Sequence, residues 1–312
     1  MERRVLLAAP RGTCAGVDRA VRAVEQALLT HGAPVYVRKH IVHNRFTVQR
    51  LADLGAVFVD EVDDVPAEAV VVISAHGAAP AVHLQARERA RVTVDATCPL
   101  VSKVHHEAQR LVAGGFEIIY IGQSGHDEVL GVLGIAPTAF HVVGNADDVA
   151  RLDIRDPTRV AWLSQTTLAV DSVTQVVERI RDRFPHVQAP PNSDICYAAQ
   201  NRQNAIRAIA ARADVVLVVG SDHSHNSREL VRVARAAGAP EAHLIDSVQL
   251  IQPGWLHGVH TVGLSAGASA PETLVQEVLA WLGRRGYTTV EEVTTNDEGM
   301  RFAPPREVTI PQ

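Results

Sequence analysis

Three cysteines are the residues of this sequence with the widest scope for redox or metal chemistry. They stand at positions 14, 98 and 196, too few and too far apart for a disulfide framework. In a reducing compartment each could be a buried apolar residue, a reactive thiol or a metal ligand. A stretch with helical periodicity follows each one, so each cysteine is expected at or just before a helix N-terminus, with Thr13 and Thr97 as helix caps.

The long separation of the cysteines limits the metal sites they could form. Zinc ribbons and ferredoxin-type runs take their ligands at short spacings, which this chain lacks. Three possibilities stay open: a zinc site with three cysteines and one histidine, an iron–sulfur cube held by three cysteines, and no metal. The cube would leave one iron without a protein ligand, available as a Lewis acid.

Polar turns supply a second set of reactive side chains. His43, His126 and Ser224 follow the three cysteines by 29, 28 and 28 residues, and a helix is predicted just beyond each turn. These turns are rich in His, Ser, Thr and Asn and poor in Lys and Arg. Their N–H and O–H donors, together with helix N-termini, suit a phosphate or diphosphate group. The alternative is that they only cap helices.

One carboxylate lies close to this polar set. Glu128 comes two residues after His126, whose spacing from Cys98 matches that of the other turns. A carboxyl group there could donate or relay a proton. It could equally be a first-turn glutamate that interacts with the helix dipole.

The same order of elements follows each cysteine. A helix, a strand, a polar turn, a second helix and a short strand precede a last strand, which ends in a polar loop. The chain is therefore divided into an N-terminal strand, three α/β units and a C-terminal tail, at residues 1–13, 14–97, 98–195, 196–285 and 286–312. Alternating strands and helices indicate mainly parallel sheets. Equal spacing indicates three pseudo-threefold-related units around a shared centre. The tail after Gly286 shows no clear period.

Composition excludes several classes of function. Of 312 residues 46% are hydrophobic and the net charge is −5, with Lys and Arg scattered along the chain. Nothing in this pattern indicates a nucleic-acid partner or an anionic membrane surface. No apolar run reaches the length of a membrane span, and the start of the chain does not fit a signal peptide. We therefore expect a cytoplasmic protein.

Nine short motifs, in order and at family spacing, make the chain resemble one known family. They are Thr13–Ala20, Ile41–Asn44, Ser74–Gly77, Asp95–Val101, Gly125–Val129, Ser164–Leu168, Asp194–Ala198, Asn201–Gln203 and Ala266–Pro271. The chain resembles the LytB family of 4-hydroxy-3-methylbut-2-enyl diphosphate reductases. The resemblance implies a trefoil of three α/β units around a central [4Fe-4S] cluster with one iron not ligated by protein. It also implies the last step of the non-mevalonate isoprenoid pathway, in which an allylic hydroxyl is removed reductively.

The resemblance further implies a role for individual residues. Cys14, Cys98 and Cys196 match the cluster ligands, Glu128 matches the proton-delivering glutamate, and Thr166 matches the threonine near the substrate alcohol. Seven residues match diphosphate-binding positions or adjoin them: His43, His76, His126, Ser224, His225, Asn226 and Ser269. At position 225 the family usually has a second serine or another small polar residue. The imidazole can still donate a hydrogen bond to phosphate.

Three hypotheses about function remain, and they differ in the substrate and electron donor that the protein would need. The reductase would use a small allylic diphosphate as substrate and a ferredoxin or flavodoxin as electron donor. An iron–sulfur hydro-lyase would act without added electrons, and a non-catalytic metal-binding paralogue would not turn over. Because Glu128 and Thr166 are both present, we expect the reductase.

Overall fold

The computed structural model describes residues 3–308, and the ends of the predicted first and last segments, 1–2 and 309–312, lie outside the described residues. The described chain forms two compact units. The first contains residues 3–15, His43–Thr47 and Tyr197–Arg301. The second contains Gly16–Val42, Val48–Cys196 and residues 302–308. Each unit is described below by itself.

Strands and helices alternate through most of the described chain. The strands are β1 Arg4–Ala9, β2 Val35–Arg38, β3 Ala56–Val59, β4 Val70–Ile73, β5 Val92–Asp95, β6 Glu117–Ile121, β7 Phe140–Val143, β8 Val160–Ser164, β9 Val215–Val219, β10 Glu241–Ile245, β11 Thr261–Ala266 and β12 Thr289–Thr294. The helices are α1 Ala15–His31, α2 Arg45–Asp53, α3 Pro80–Arg89, α4 Pro99–Ala113, α5 Asp127–Leu133, α6 Val170–Arg183, α7 Tyr197–Ala210, α8 His225–Ala236 and α9 Glu272–Gly283.

The strands form three sheets, and every strand pair in them is parallel. The first unit holds the sheet β10-β9-β11-β1-β12, and the second unit holds the sheets β3-β2-β4-β5 and β7-β6-β8. The three strands of each predicted repeat occur in the same spatial order: the second strand, then the first, then the third. The α/β class with parallel sheets is therefore confirmed, and the three sheets that a trefoil requires are present.

The central strands are buried on both faces, as their sequences predict. β9 reads Val-Val-Leu-Val-Val and β4 reads Val-Val-Val-Ile, and every residue of both is buried. Such uninterrupted β-branched runs are typical of parallel strands covered by helices on two sides. Helix α4 contributes an apolar stripe made of Val101, Val104, Ala108 and Leu111.

Each sheet gains a further parallel partner from the segment that leads to a cysteine. β1, which precedes Cys14, pairs with β11; β5, which precedes Cys98, pairs with β4. Before Cys196 the match is reduced to one parallel bridge, between Gln188 and Ala161 of β8. The strand in segment 1–13 thus completes the sheet of the third repeat, a connection that no local pattern in the sequence could show.

The C-terminal tail also contains a strand that sequence analysis did not identify. β12 runs parallel to β1, from Arg4 opposite Thr289 to Ala9 opposite Thr294. It is the last strand of its sheet and its side chains are mostly exposed. Polar and charged residues are common on edge strands. Because of these residues, β12 lacks the alternation of apolar and polar residues by which a strand is recognised in a sequence.

Candidate functional site

All three cysteines lie at helix N-termini, as predicted. Cys14 directly precedes α1, Cys98 is the N-cap residue of α4 with Pro99 at its start, and Cys196 directly precedes α7. Each thiol is free of disulfide bonding and partly exposed. Helix N-termini stabilise thiolates, because unpaired backbone N–H groups and the helix dipole favour negative charge there.

The backbone of each cysteine is fixed in an equivalent way. The N–H of Cys14 donates to Ala268 O at 3.1 Å, within the first unit. In the second unit the N–H of Cys98 donates to Ala75 O at 3.0 Å, and that of Cys196 donates to Thr166 O at 2.9 Å. Every acceptor lies in the polar loop after the last strand of a repeat. The three repeats found from the sequence spacing therefore also share the same hydrogen bond to the cysteine backbone.

The predicted cap at Thr97 is wrong. Cys98, not Thr97, is the N-cap of α4, and the buried Thr97 Oγ1 has no hydrogen-bond partner among the described residues. Thr13 Oγ1 donates to Ala270 O at 3.2 Å and so fastens the segment before α1 to another loop. The position of a threonine before a helix does not reveal which residue takes the cap.

The chemistry of the three cysteines fits an iron–sulfur cluster. Free thiols are the usual protein ligands of such clusters, and here none is used in a disulfide. Their backbone N–H groups are paired with carbonyl oxygens of loops, which fixes the backbone from which each thiol extends. Zinc also accepts thiolates, so the thiols alone do not distinguish the two metals.

Glu128 is a buried carboxyl group at the start of α5, with 1% of its surface exposed. The backbone N–H of Thr166 donates to Oε1 at 2.8 Å, and Thr166 Oγ1 donates to Oε2 at 3.1 Å. Burial raises the pKa of Glu128 to about 7, and the two Thr166 hydrogen bonds oppose that rise. A carboxyl with this pKa holds a proton in about half of the molecules at neutral pH, as a general acid requires.

Two groups that sequence analysis did not assign also influence Glu128. Asp194, itself buried, raises the pKa of Glu128 by charge repulsion. Tyr120 of β6 is fully buried, and its hydroxyl lowers the pKa of Glu128, although its geometry falls short of a regular hydrogen bond to any described residue. Tyr120 is the one residue with a polar group among the four that follow Glu117 in β6. That hydroxyl in an otherwise apolar strand was the feature of the sequence that could have identified it.

Asp194 has its own perturbed titration. Burial raises the pKa of Asp194 to about 6, against the hydrogen bond from the N–H of Ser164 and the charge of Lys103. That N–H lies 3.0 Å from Asp194 Oδ2, and Lys103 Nζ lies 3.7 Å from Oδ1. A second buried carboxyl near Glu128 makes it harder for both to be ionised together.

His76 and His126 lie next to each other in the second unit. Their rings meet edge to face, with centroids 5.8 Å apart. His126 Nδ1 accepts the N–H of Glu128 at 3.2 Å and so acts as the N-cap of α5. His126 therefore joins His76 to the start of α5, which carries Glu128.

Five other predicted site residues belong to the first unit: His43, Ser224, His225, Asn226 and Ser269. Ser224 is the N-cap of α8 and its Oγ accepts the N–H of Ser227 at 3.2 Å. Asn226 Oδ1 accepts the N–H of Ala268 at 2.9 Å, and Ser269 Oγ donates to His43 O at 3.1 Å. Capping is therefore real for Ser224. It does not exclude ligand binding, since a hydroxyl whose oxygen accepts hydrogen bonds can still donate its own proton.

Two glycines allow α8 to begin very close to the strand ends. A Cβ at Gly220 would lie 2.2 Å from Ser227 Oγ, and a Cβ at Gly267 would lie 2.1 Å from the same atom. Ser227 is fully buried, and its Oγ donates to Ser224 Oγ at 3.0 Å. The glycines thus fix the position of a helix N-terminus whose N–H groups can bind an anion.

His225, the departure from the family pattern, is the first residue of α8 and is buried. An imidazole is thus accommodated beside Ser224 and Asn226. None of the described helices combines the length and apolar character that crossing a membrane requires.

The class of this protein is defined by its parallel α/β sheets and by two features of the site. A thiol stands at the helix N-terminus that follows the segment completing each sheet, and a buried glutamate is paired with a threonine. Residues 5–283 match the family model described as LytB protein. The chain belongs to the LytB family.

Named relatives support this assignment over almost the full chain. The 4-hydroxy-3-methylbut-2-enyl diphosphate reductase of Mycobacterium sp. (strain KMS) is 55% identical over 306 residues, covering 98% of this chain and 92% of the relative. The enzyme of the same name from Acidothermus cellulolyticus is 54% identical over 307 residues, covering 98% and 90%. The solved structure of E-1-hydroxy-2-methyl-but-2-enyl-4-diphosphate reductase from Plasmodium falciparum is similar with a TM-score of 0.95 at 33% identity, covering 99% and 97%.

Proposed function

We propose that this chain catalyses the reductive dehydroxylation of (E)-4-hydroxy-3-methylbut-2-enyl diphosphate to isopentenyl and dimethylallyl diphosphates, the last step of the non-mevalonate isoprenoid pathway. The observation that carries the proposal is the buried Glu128 carboxyl, held by Thr166 and adjacent to His126. Family membership and relatives named for this reductase support it.

The proposed cofactor is a [4Fe-4S] cluster ligated by Cys14, Cys98 and Cys196, with one iron not ligated by protein. Three thiols at helix N-termini, none of them in a disulfide, support this ligand set. When bound, such a cluster supplies electrons and a Lewis-acidic iron for the substrate hydroxyl. Free thiols persist in reducing compartments, which supports a cytoplasmic location.

Side chains of histidine, serine and asparagine would hold the diphosphate in this proposal. They are the side chains of His43, His76, His126, Ser224, His225, Asn226 and Ser269. Support comes from the N-terminus of α8, where Ser224 and Asn226 are already oriented by hydrogen bonds. An anion at a helix N-terminus is stabilised by backbone N–H groups and the dipole, without a cationic side chain.

Glu128 would deliver the proton with which the hydroxyl leaves. The C–O bond breaks and the hydroxyl departs as water with that proton. Two electrons reduce the allyl group, and a second proton added at one end or the other gives dimethylallyl or isopentenyl diphosphate. A pKa of about 7 keeps Glu128 protonated often enough to act. Thr166 fixes the orientation of the carboxyl through two hydrogen bonds. The electrons would come from a ferredoxin or flavodoxin type donor.

Anaerobic oxidation of reduced methyl viologen by the cluster-loaded protein tests this proposal. We expect oxidation only when hydroxymethylbutenyl diphosphate is added, and a loss of roughly 10²–10⁴-fold in Glu128→Gln. Glu117→Gln is the matched control, because Glu117 is also a buried carboxyl, paired with His141 at 2.9 Å instead of with Thr166.

Each other outcome points to a different function. Turnover of the substrate without a reductant would indicate the iron–sulfur hydro-lyase. No turnover with an intact cluster would indicate a non-catalytic metal-binding paralogue. Equal loss in the Glu117 and Glu128 variants would remove the acid role from Glu128.

A further inference from the structure

The motif Asn201-Arg202-Gln203 has no part in the proposed chemistry, yet it contains a buried arginine with 1% side-chain exposure. Arg202 lies in α7 and its guanidinium makes contacts in several directions. Nε donates to Gly12 O at 2.9 Å, and Nη1 donates to Ala198 O at 2.9 Å. Nη1 also contacts both carboxylate oxygens of Glu298, at 2.9 and 3.1 Å.

Glu298 comes from the C-terminal tail, four residues after the end of β12. Its Oε1 also accepts Asn201 Nδ2 at 3.0 Å. Just after β12, the N–H of Thr295 donates to Ala9 O at 2.9 Å. The tail is therefore fastened both to the end of β1 and to the buried guanidinium.

Between these two attachments lies the segment that leads to Cys14. The N–H of Gly12 donates to Ala266 O at 3.1 Å, and the N–H of Cys14 donates to Ala268 O at 3.1 Å. Gly12 has a φ of +66°, a conformation that favours glycine. The segment is thus held on one side by the loop after β11 and on the other by Arg202.

A lysine could not make the same set of contacts. The planar guanidinium presents five donors in a fixed arrangement, whereas an ammonium group presents three at one point. The charge of Arg202 is also removed from water, so its counter-ion matters. Loss of one partner leaves the other charge buried and uncompensated, which is strongly destabilising.

We propose that the Arg202–Glu298 ion pair is a positioning device that makes the C-terminal tail part of the support for the Cys14 thiol. The pair fixes the segment from Ala9 to Cys14, so that the thiol stays in one place before and after ligation. The cluster half of this inference rests on the proposed function; the positioning of the thiol does not.

Alkylation of the cysteines in the full-length protein without cluster, followed by mass spectrometry, measures the positioning directly. We expect Glu298→Gln and Arg202→Lys to raise the labelling rate of Cys14 by at least about tenfold, because its segment opens locally more often. Cys98 and Cys196 serve as internal references and should keep their rates. Glu291→Gln is the matched control: Glu291 lies in β12 of the same tail and pairs with Arg212 at the surface.

The cluster-loaded protein provides a second readout. Iron release to a chelator should be faster in the two pair variants and unchanged in Glu291→Gln. Unchanged Cys14 labelling in Glu298→Gln, or an equal rise at all three cysteines, would overturn the proposal. If Arg202→Lys does not fold, Glu298→Gln decides alone, since it keeps the arginine and an isosteric side chain. Viologen oxidation is not used, so a failure of the proposed function would leave the labelling result intact.

Discussion

Thr166 contacts both oxygens of the Glu128 carboxyl, through its backbone N–H at 2.8 Å and its Oγ1 at 3.1 Å. The same residue accepts the N–H of Cys196 on its carbonyl oxygen at 2.9 Å. One threonine thus joins the buried acid to the backbone of a proposed cluster ligand. Because both contacts to Glu128 are donated to the carboxyl, they stabilise its ionised form against the cost of burial.

Thr166→Val should shift the pH dependence of turnover. Valine keeps the backbone N–H but removes Oγ1, so the pKa of Glu128 rises above its present value of about 7. The alkaline limb of kcat then moves to higher pH, while kcat at neutral pH falls roughly 10–100-fold because the acid is less well oriented. Thr166→Ser keeps the hydroxyl and should retain the wild-type limb. An unmoved limb in the valine variant contradicts the assignment.

Glu128→Gln should stabilise the fold at alkaline pH while removing activity. The folded pKa of about 7 exceeds the ordinary value of 4.5, so stability falls as pH rises between these values and stays reduced above them. This difference corresponds to about 3 kcal/mol at pH 8. Glutamine carries no charge and avoids the penalty. Thermal unfolding at pH 5 and pH 8 should therefore show the variant gaining relative to wild type at pH 8.

Glu117→Gln provides a control of opposite sign. Hydrogen bonds from His141 and from the N–H groups of Asp156 and Arg155 outweigh burial and lower the pKa of Glu117. Its ionised form therefore contributes stability above the ordinary pKa, and that contribution is lost as pH falls. We expect Glu117→Gln to lose stability at pH 5 as well as at pH 8, because both lie above the ordinary pKa of 4.5. If both glutamine variants change in the same direction, the pKa of Glu128 is not raised.

The fold class could be predicted because each repeat carries its own signals. Central strands such as β9 are continuous apolar runs, and the stripe of α4 has helical spacing. The partners of β1 and β12 could not be predicted. β1 precedes the first cysteine but pairs with β11, and β12 is a mostly exposed edge strand without alternation. Pairing between strands far apart in sequence depends on tertiary packing, which local periodicity does not encode.

The motifs name the candidate residues of the site, but they do not name the groups that support them. His126, Glu128 and Thr166 lie together, as the resemblance implied. Arg202 belongs to the motif Asn201–Gln203, but its partner Glu298 lies 96 residues further along the chain, in the tail. Tyr120 lies within a largely apolar strand, and that position predicts a core residue with no role in the site. Contacts between a buried side chain and a distant partner leave no spacing that a sequence can show.

Gly267→Ala should disturb the start of α8. The new Cβ would lie 2.1 Å from Ser227 Oγ. Ser227 is fully buried and its Oγ is hydrogen-bonded to Ser224 Oγ, so it cannot move aside easily. Crowding of this kind costs about 1–3 kcal/mol, and the displaced helix start should raise KM for the diphosphate substrate. Gly283→Ala is the control, because it lies in α9 with no atom within 4 Å of its Cβ position. Equal effects of the two variants on KM would show that the close approach at Gly267 does not matter.

Tyr120→Phe should separate the titration of Glu128 from the stability of the fold. The Tyr120 hydroxyl lowers the pKa of Glu128, so its removal raises that pKa and moves the alkaline limb of kcat to higher pH. The hydroxyl makes no regular hydrogen bond to the described residues, so Tm should change little. Tyr287→Phe is the matched control: its Oη donates to Val259 O at 2.8 Å. That variant should lose about 1 kcal/mol of stability and keep the wild-type limb. A limb that moves in neither variant would leave Tyr120 with a packing role only.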